Sequence, residues 1–156
     1  MPDMQAVNAA SRELLMMSAG GATAQQLVEK AYQYVHKPIA VLDELYRGVA
    51  FFAPGVPRSD CERKTDDDVR KRREWRKIVQ ASNEPVIDEN AGGRYRAMCM
   101  DVRYNGIDTG KLAMMETSPV RPEDAEIIKA LSCALAIQMI GGGGLILSNL
   151  DRKSVV

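Results

Sequence analysis

Three thiols are the side chains of this 156-residue chain best suited to covalent chemistry: Cys61, Cys99 and Cys133. A thiolate is both a nucleophile and a redox group, and positive charge beside Cys61, from Arg63 and Lys64, would favour that form. The spacing of the three is too wide for a zinc site, and an odd number suits reduced thiols better than a disulfide framework. We expect Cys99 to lie in a strand and Cys133 in a helix, both buried and inert.

Other catalytic constellations do not stand out in the sequence. His36 is the lone histidine, and a metal site needs several ligands arranged together. There is no phosphate-binding loop, no Ser-His-Asp set and no evident pair of carboxylates placed for acid–base work. The sequence therefore favours a protein that is not an enzyme and has no metal or cofactor.

Binding chemistry has two candidates. Arg94 and Arg96 alternate with apolar residues, and a guanidinium could hold a carboxylate or phosphate through paired hydrogen bonds, although such residues more often lie at a rim. Residues 58–77 form a strongly charged run in which acidic side chains partly balance the charge of the basic ones. This run is either an anion-binding patch or, as we favour, a solvated helix face. On such a face, weak ion pairs form between side chains four residues apart.

Composition limits the class of protein. Lys plus Arg and Asp plus Glu both number 21, so the formal net charge is zero, whereas nucleic-acid-binding domains usually show a basic excess. We therefore expect no direct nucleic-acid contact. No apolar run reaches the roughly 18 residues that span a membrane, and the first residues do not resemble a signal peptide. A cytoplasmic location is the resulting expectation.

Periodicity and capping residues predict the elements that position these groups. Two helices are expected first, over residues 4–18 and from Ala24 to His36, the second capped by Thr23. Two short strands follow, at 39–43 and 47–53, and then a loop. A third helix, carrying Trp75, is expected over residues 65–81, and Glu84–Asp88 could be an edge strand because it contains a proline.

A hairpin and a long helix complete the pattern. The predicted strands cover residues 94–104 and 111–116, and Asn105-Gly106 is the dipeptide that most readily forms a two-residue type I′ turn. Ser118–Asp124 then opens a helix that runs to about Ile140. This order predicts an α+β domain with a central antiparallel sheet of about five strands and helices on both faces.

This arrangement resembles the GAF family over residues 22–140. The similarity rests on the helix before Lys37-Pro38, the apolar strand ending in Asp43, Arg47–Ala50, the Asn105-Gly106 hairpin and the last helix. More narrowly, it resembles the GAF-like amino-terminal sensor of purine-catabolism (PucR-like) bacterial transcription regulators. The resemblance implies a fold that binds a small effector between the sheet and the Trp75 helix, and a signal passed to the last helix.

The resemblance also implies candidate ligand-binding residues on the sheet and on the Trp75 helix. An ordinary core role is the alternative for the methionines among them, and a core anchor is the alternative for Trp75. The candidates are Phe52, Trp75, Ile78, Arg94, Arg96, Met98, Met100 and Met115.

The last helix is apolar over more than one stripe, which predicts a second packing surface. Either the first helix or a second copy of the chain would cover it, and we expect a homodimer. The candidate interface residues are Leu14, Met17, Ile128, Leu131, Leu135 and Met139.

The chain is thus divided into an N-terminal helix (1–21), a GAF-like domain (22–140) and a glycine hinge that begins a linker to an output module (141–156). On this division the chain is a fragment of a longer regulator or a stand-alone sensor. Two other functions remain open: a ligand-free dimerisation module and, less favoured, a methionine-R-sulfoxide reductase of the GAF type.

Overall fold

The structure, a computed structural model, describes residues 3–45, 47–61, 84–92 and 94–141. Within these ranges it contains four helices and five strands. The helices are α1 (Met4–Ala19), α2 (Ala24–Val35), α3 (Arg58–Cys61) and α4 (Pro122–Gly141). The strands are β1 (Ile39–Asp43), β2 (Gly48–Phe52), β3 (Val86–Gly92), β4 (Tyr95–Tyr104) and β5 (Ile107–Met115).

Capping interactions begin the two N-terminal helices. The carboxylate of Asp3 accepts hydrogen bonds from the backbone N–H groups of Gln5 and Ala6 at the start of α1. Thr23 and Gln26 form a reciprocal capping box at the start of α2, which confirms Thr23 as its cap. His36 caps the end of α2, and its left-handed backbone allows the chain to turn into β1.

The sheet is antiparallel, with the strand order β2-β1-β5-β4-β3. β1 and β2 form one hairpin, β4 and β5 form a second, and β1 joins the two by pairing with β5. The predicted α+β class and the five-stranded antiparallel sheet are confirmed.

The Asn105-Gly106 turn is also confirmed. Both residues have positive φ angles, 51° and 79°, and Tyr104 pairs with Ile107 across the two-residue loop, as a type I′ turn requires. The start of the returning strand was predicted too late, because β5 begins at Ile107 rather than at residue 111. Gly110 therefore lies inside β5, not at its entry.

Replacing Gly106 tests the turn. Gly106→Ala adds a Cβ at a left-handed position with no neighbouring atom within 4 Å, so the cost is conformational rather than steric. We expect the free energy of unfolding to fall by about 1 kcal/mol. Urea unfolding measures this, with Gly48→Ala as a comparison at a glycine without positive φ, where the added Cβ has no neighbour closer than 3.8 Å. An equal or smaller loss at Gly106 than at Gly48 would contradict the turn assignment.

Three helices, α1, α2 and α4, lie on the same side of the sheet: α4 packs on β4 and β5, α2 packs on β1 and β2, and α1 packs on α4 and α2. One apolar core joins them to the strands, and α4 lies between the sheet and α1. This position accounts for the wide apolar surface of α4, since α1 covers the stripe that the sheet does not.

The dimer-interface prediction needs correction at four residues. Leu14, Ile128, Leu131 and Leu135 have no exposed surface, because they fill the core of the single chain. Met17 and Met139 are partly buried against the same core.

Hydrogen bonds at both ends align α1 and α4 side by side in the same direction. The backbone N–H of Asp3 donates to Oε1 of Glu123 at 2.8 Å near the start of both helices. At the other end, the buried hydroxyl of Ser18 donates to the carbonyl of Ala134 at 2.6 Å. The N-terminal helix is thus bound into the same core as the rest of the described domain.

A buried ion pair links the two motifs Lys37-Pro38 and Pro122-Glu123-Asp124. Nζ of Lys37 lies 2.8 Å from Oδ2 of Asp124, and both side chains are almost completely buried. The same carboxylate accepts from the backbone N–H and the guanidinium of Arg121, and Arg121 also donates to the carbonyl of Tyr34. This network joins the end of α2 and the entry to β1 with the start of α4.

Two expectations for the middle of the chain have different outcomes. The loop predicted after β2 contains a one-turn helix, α3, whose Arg58 guanidinium stands over the Phe51 ring at 5.2 Å. The predicted helix over residues 65–81 lies outside the described residues, and so does the helix cover expected on the second face of the sheet. None of the helices in the described part of the chain is both long and apolar enough to cross a membrane.

Candidate functional site

Strand alternation divides the sheet into two chemically different faces. On the face that meets α2 and α4, called the helical face, the side chains join the main core. Met98, Met100 and Phe52 lie on this face, and the Phe52 ring packs edge-on against Tyr32 of α2 at 5.1 Å. Met98 and Met100 alternate with Ala97 and Cys99, which lie on the other face, so the core role that was the alternative for these methionines is the one the structure shows.

The other side, called the opposite face, has a row of paired residues that crosses all five strands. From β2 to β3 the row is Phe51, Ala40, Ala113, Cys99 and Val86. The three central side chains are small, and the larger ones stand at the two ends. Ala40, Ala113 and Cys99 therefore form a low strip, called the small-residue floor, across the middle of the sheet.

A charged cluster borders this floor. Nζ of Lys111 lies 2.9 Å from Oδ1 of Asp101 and also contacts the carboxylate of Asp108. Arg103 donates to the other oxygen of Asp101 at 2.9 Å. Lys111 and Asp101 are almost completely buried, where an unpaired charge would be very unfavourable. Two cations and two carboxylates thus neutralise one another on the opposite face.

A β-bulge brings these charges together. In a regular hairpin closed by Asn105-Gly106, Asp101 would face Gly110, but a register shift beyond Val102 places it opposite Lys111. The hydroxyl of Thr109 donates to the carbonyl of Val102 at 2.9 Å, and the backbone N–H of Gly110 donates to Asp108. Sequence reasoning did not single out Lys111, Asp101, Asp108 or Arg103, and by starting the returning strand at residue 111 it left Asp108 outside the sheet. The available signal was the charge of Asp101 and of Lys111 in otherwise apolar strands.

The bulge is also tied to the helices. The buried hydroxyl of Ser132 in α4 donates to the carbonyl of Asp101 at 3.1 Å. Two residues further on, the carbonyl of Ala134 accepts from Ser18 of α1. The strand segment that carries Asp101 on the opposite face is therefore connected through two buried hydroxyls to both helices.

The other predicted residues of this region lie at the end of the β4–β5 hairpin that is away from the charged cluster. Met115 is on the opposite face, paired with Ala97, and is almost completely buried. Arg94 and Arg96 are 72% and 50% exposed and lie near the carboxylates of Asp60 and Glu116, at 3.7 and 2.7 Å. Both arginines therefore occupy the rim already considered for them, not a buried pocket. Trp75 and Ile78 lie outside the described residues.

The cysteines are distributed differently from the expectation. Cys99 is fully buried on the opposite face, as predicted, whereas Cys133 is exposed on α4. Cys61, expected in a polar loop, is buried at the end of α3. The structure places Cys99 and Cys133 on different layers of the fold, since α4 covers the helical face.

A shallow groove lies on the helical side, between the end of α1 and α2. Its volume is about 510 Å³, and Met17, Glu29 and Lys30 are among the residues that line it. None of the predicted ligand-binding residues lines this groove.

Comparison with known proteins supports the fold. Neither a protein-family model nor a curated protein sequence matches this chain. Among solved structures, it is similar to the GAF domain of a phosphoenolpyruvate-protein phosphotransferase from Acinetobacter, with a TM-score of 0.58 and 16% sequence identity. The match covers 92% of this chain and 97% of that one. The fold is therefore that of a GAF domain, as the sequence resemblance implied.

Proposed function

We propose that this chain is a sensory domain that reversibly binds a small molecule on the opposite face of its sheet. The observation that supports this best is the small-residue floor beside the charged cluster. The three central side chains of the floor are small, and Lys111, Asp101 and Arg103 place hydrogen-bonding groups at one end. An apolar surface with a few convergent polar groups is the usual composition of a small-molecule site.

The site has a direct connection to a helix that could carry a signal. A ligand that moved Asp101 would change the Ser132 hydrogen bond and thus the position of α4 relative to β4. Such a ligand shifts the equilibrium between two conformations only by its difference in affinity for them. In the finer form of the proposal, the chain is the sensor part of a PucR-like bacterial transcription regulator in the cytoplasm, and α4 leads towards an output module.

A thermal-shift screen tests the sensory proposal. The probes are purines, amino acids, cyclic nucleotides and small organic acids, the classes that the sequence leaves open. Ligand at a hundred times Kd stabilises the folded state by about 2.7 kcal/mol, which raises the melting temperature by several degrees in a chain of this size. We expect a concentration-dependent rise for at least one class.

A matched pair of variants locates the binding site. Ala113→Leu fills the small-residue floor, whereas Ala9→Leu adds the same volume at an exposed position on α1. We expect Ala113→Leu to abolish the ligand-induced rise and Ala9→Leu to retain it. A rise that survives in folded Ala113→Leu would remove the floor from the site, and a flat screen with the wild-type chain would contradict sensing.

A homodimer is a second part of the proposal, and the exposed apolar residues of the terminal helices favour it. Leu15 and Met16 of α1 are 39% and 68% exposed, and Ile137 of α4 is 40% exposed. A contact through these residues would leave the chain's own core intact, unlike one through Leu14 or Leu131. If the ligand screen is flat, this surface makes a ligand-free dimerisation module the better function.

Met16→Asp tests the dimer surface. A charge at this exposed position would be desolvated in an apolar contact, so we expect it to convert the dimer into a monomer with the fold unchanged. Light scattering at high micromolar concentration measures the mass, and Ser118→Asp, at an exposed position before α4, is the control for added negative charge. A wild-type chain that is monomeric at that concentration would contradict the homodimer.

A further inference from the structure

The outer edge of β2 has a feature that neither the core nor the proposed binding site requires. β2 is the outermost strand of the described sheet, and an edge strand presents backbone groups to which another strand can pair. On this edge, the backbone N–H and C=O of Phe51 point away from β1. Both groups are bonded, but to a side chain rather than to a strand.

The side chain is that of Gln25, in the first turn of α2. Its Nε2 donates to the carbonyl of Phe51 at 2.9 Å, and its Oε1 accepts from the Phe51 N–H at 3.0 Å. In an antiparallel sheet, the residue directly opposite on a neighbouring strand can make the same two bonds, because its C=O accepts from the N–H and its N–H donates to the C=O. The carboxamide of Gln25 thus takes the place of the N–H and C=O groups of one residue in a neighbouring strand.

This arrangement depends on the chemistry of the carboxamide and on its placement. A carboxamide combines a donor and an acceptor in one plane; a carboxylate lacks the donor and an aliphatic side chain lacks both. The capping box of Thr23 and Gln26 fixes the first turn of α2, so Gln25 projects from a rigid position. The ring of Phe51 is held separately, by Arg58.

We propose that Gln25 closes the β2 edge and that, when its side chain withdraws, this edge pairs with β2 of a second copy of the chain. A second copy fits because antiparallel pairing about a two-fold axis gives both Phe51 residues the same two bonds. Gly48 and Val49, next along the strand, are both exposed. This surface is separate from the α1 surface of the proposed homodimer, and the inference does not depend on ligand binding.

Gln25→Ala tests the proposal, with Gln33→Ala as the matched control because Gln33 is exposed on the same helix. We expect the amide hydrogen of Phe51 to exchange at least tenfold faster in dilute Gln25→Ala. At higher concentration, sedimentation should show a species of twice the mass beyond any oligomer of Gln33→Ala. Adding Val49→Lys should remove this species, because a charge on an edge strand opposes pairing.

A second variant covers the case in which Gln25→Ala does not fold. Gln25→Glu keeps the acceptor for the Phe51 N–H and loses the donor to its carbonyl, so it should give the same additional association in a smaller proportion. If folded Gln25→Ala and Gln25→Glu have the same mass as Gln33→Ala over the whole concentration range, the proposal is overturned. Association that persists with Val49→Lys would also overturn it.

Discussion

Asp124→Ala is expected to lower the free energy of unfolding by about 3–5 kcal/mol, the cost of removing one partner from a buried ion pair. The Asp124 carboxylate is fully buried and accepts hydrogen bonds from Lys37 and Arg121. Without it, the Lys37 ammonium is left in the interior with only the carbonyl of Val35 as acceptor among its described contacts. Urea or thermal unfolding measures the loss.

Two further variants distinguish the effect of losing the buried ion pair from the effect of removing any carboxylate from α4. Glu126→Ala removes a carboxylate from the same helix, but its partner Lys129 is partly exposed, so we expect a loss of at most about 1 kcal/mol. Lys37→Met combined with Asp124→Ala should be more stable than Asp124→Ala alone, since no buried cation remains. Equal losses for Asp124→Ala and Glu126→Ala would contradict the role of burial.

The same carboxylate predicts how stability depends on pH. Burial raises the pKa of Asp124, but the hydrogen bonds from Arg121 and Lys37 outweigh it and hold the pKa below the ordinary value of 3.8. A carboxyl group with a lowered pKa in the folded state contributes its full stabilisation above the unfolded pKa and loses it as the pH falls through the folded pKa. The stability advantage of the wild type over Asp124→Ala should therefore shrink below about pH 4. Glu13 and Asp43 also have lowered pKa values, so the comparison with the variant isolates Asp124.

Gly110→Val is expected to have the second largest effect, a loss of about 3 kcal/mol, at the upper end of the usual cost of overpacking. A Cβ at Gly110 would lie 2.6 Å from the carbonyl oxygen of Leu42 and 3.0 Å from Cε of Met139. Met139 can move, but Leu42 belongs to the neighbouring strand. The substitution would therefore push β1 and β5 apart beside the bulge.

The control is Gly48→Val, in β2. There a Cβ would approach nothing closer than the Arg58 side chain at 3.8 Å, so we expect little loss or a small gain from higher strand propensity. Chemical denaturation of both variants measures the difference. If Gly110→Val is as stable as Gly48→Val, the close approach of Gly110 to Leu42 is not a feature of the native state.

Local signals explain which parts of the fold could be predicted. The cap at Thr23 and the Asn105-Gly106 turn depend on residues a few positions apart, so the sequence contains them completely. The pairing of β1 with β5 and the ion pair between Lys37 and Asp124 join distant segments, and a single sequence gives no direct measure of such contacts.

The face on which we propose binding was harder to predict for two physical reasons. Alternation sorts Met98 and Cys99 onto different faces, but both side chains are apolar and suit a core, so the pattern does not show which face the helices cover. The bulge then changes the cross-strand partner of Asp101 from Gly110 to Lys111. One extra residue in a strand cannot be recognised from the amino-acid composition of that strand. The charges of Asp101 and Lys111 are visible in the sequence, but their pairing could be recognised only in three dimensions.

The most direct test of the central claim uses adjacent methionines on the two faces of β5. Met115 lies on the opposite face and Met114 on the helical face, in contact with the main core. With methyl-labelled methionine, NMR titration with the compound that gives the thermal shift should move the Met115 signal most, with smaller changes at Met114 and Met98. Largest shifts at Met98 and Met114, with Met115 unchanged, would place the ligand on the helical side and contradict the proposed site.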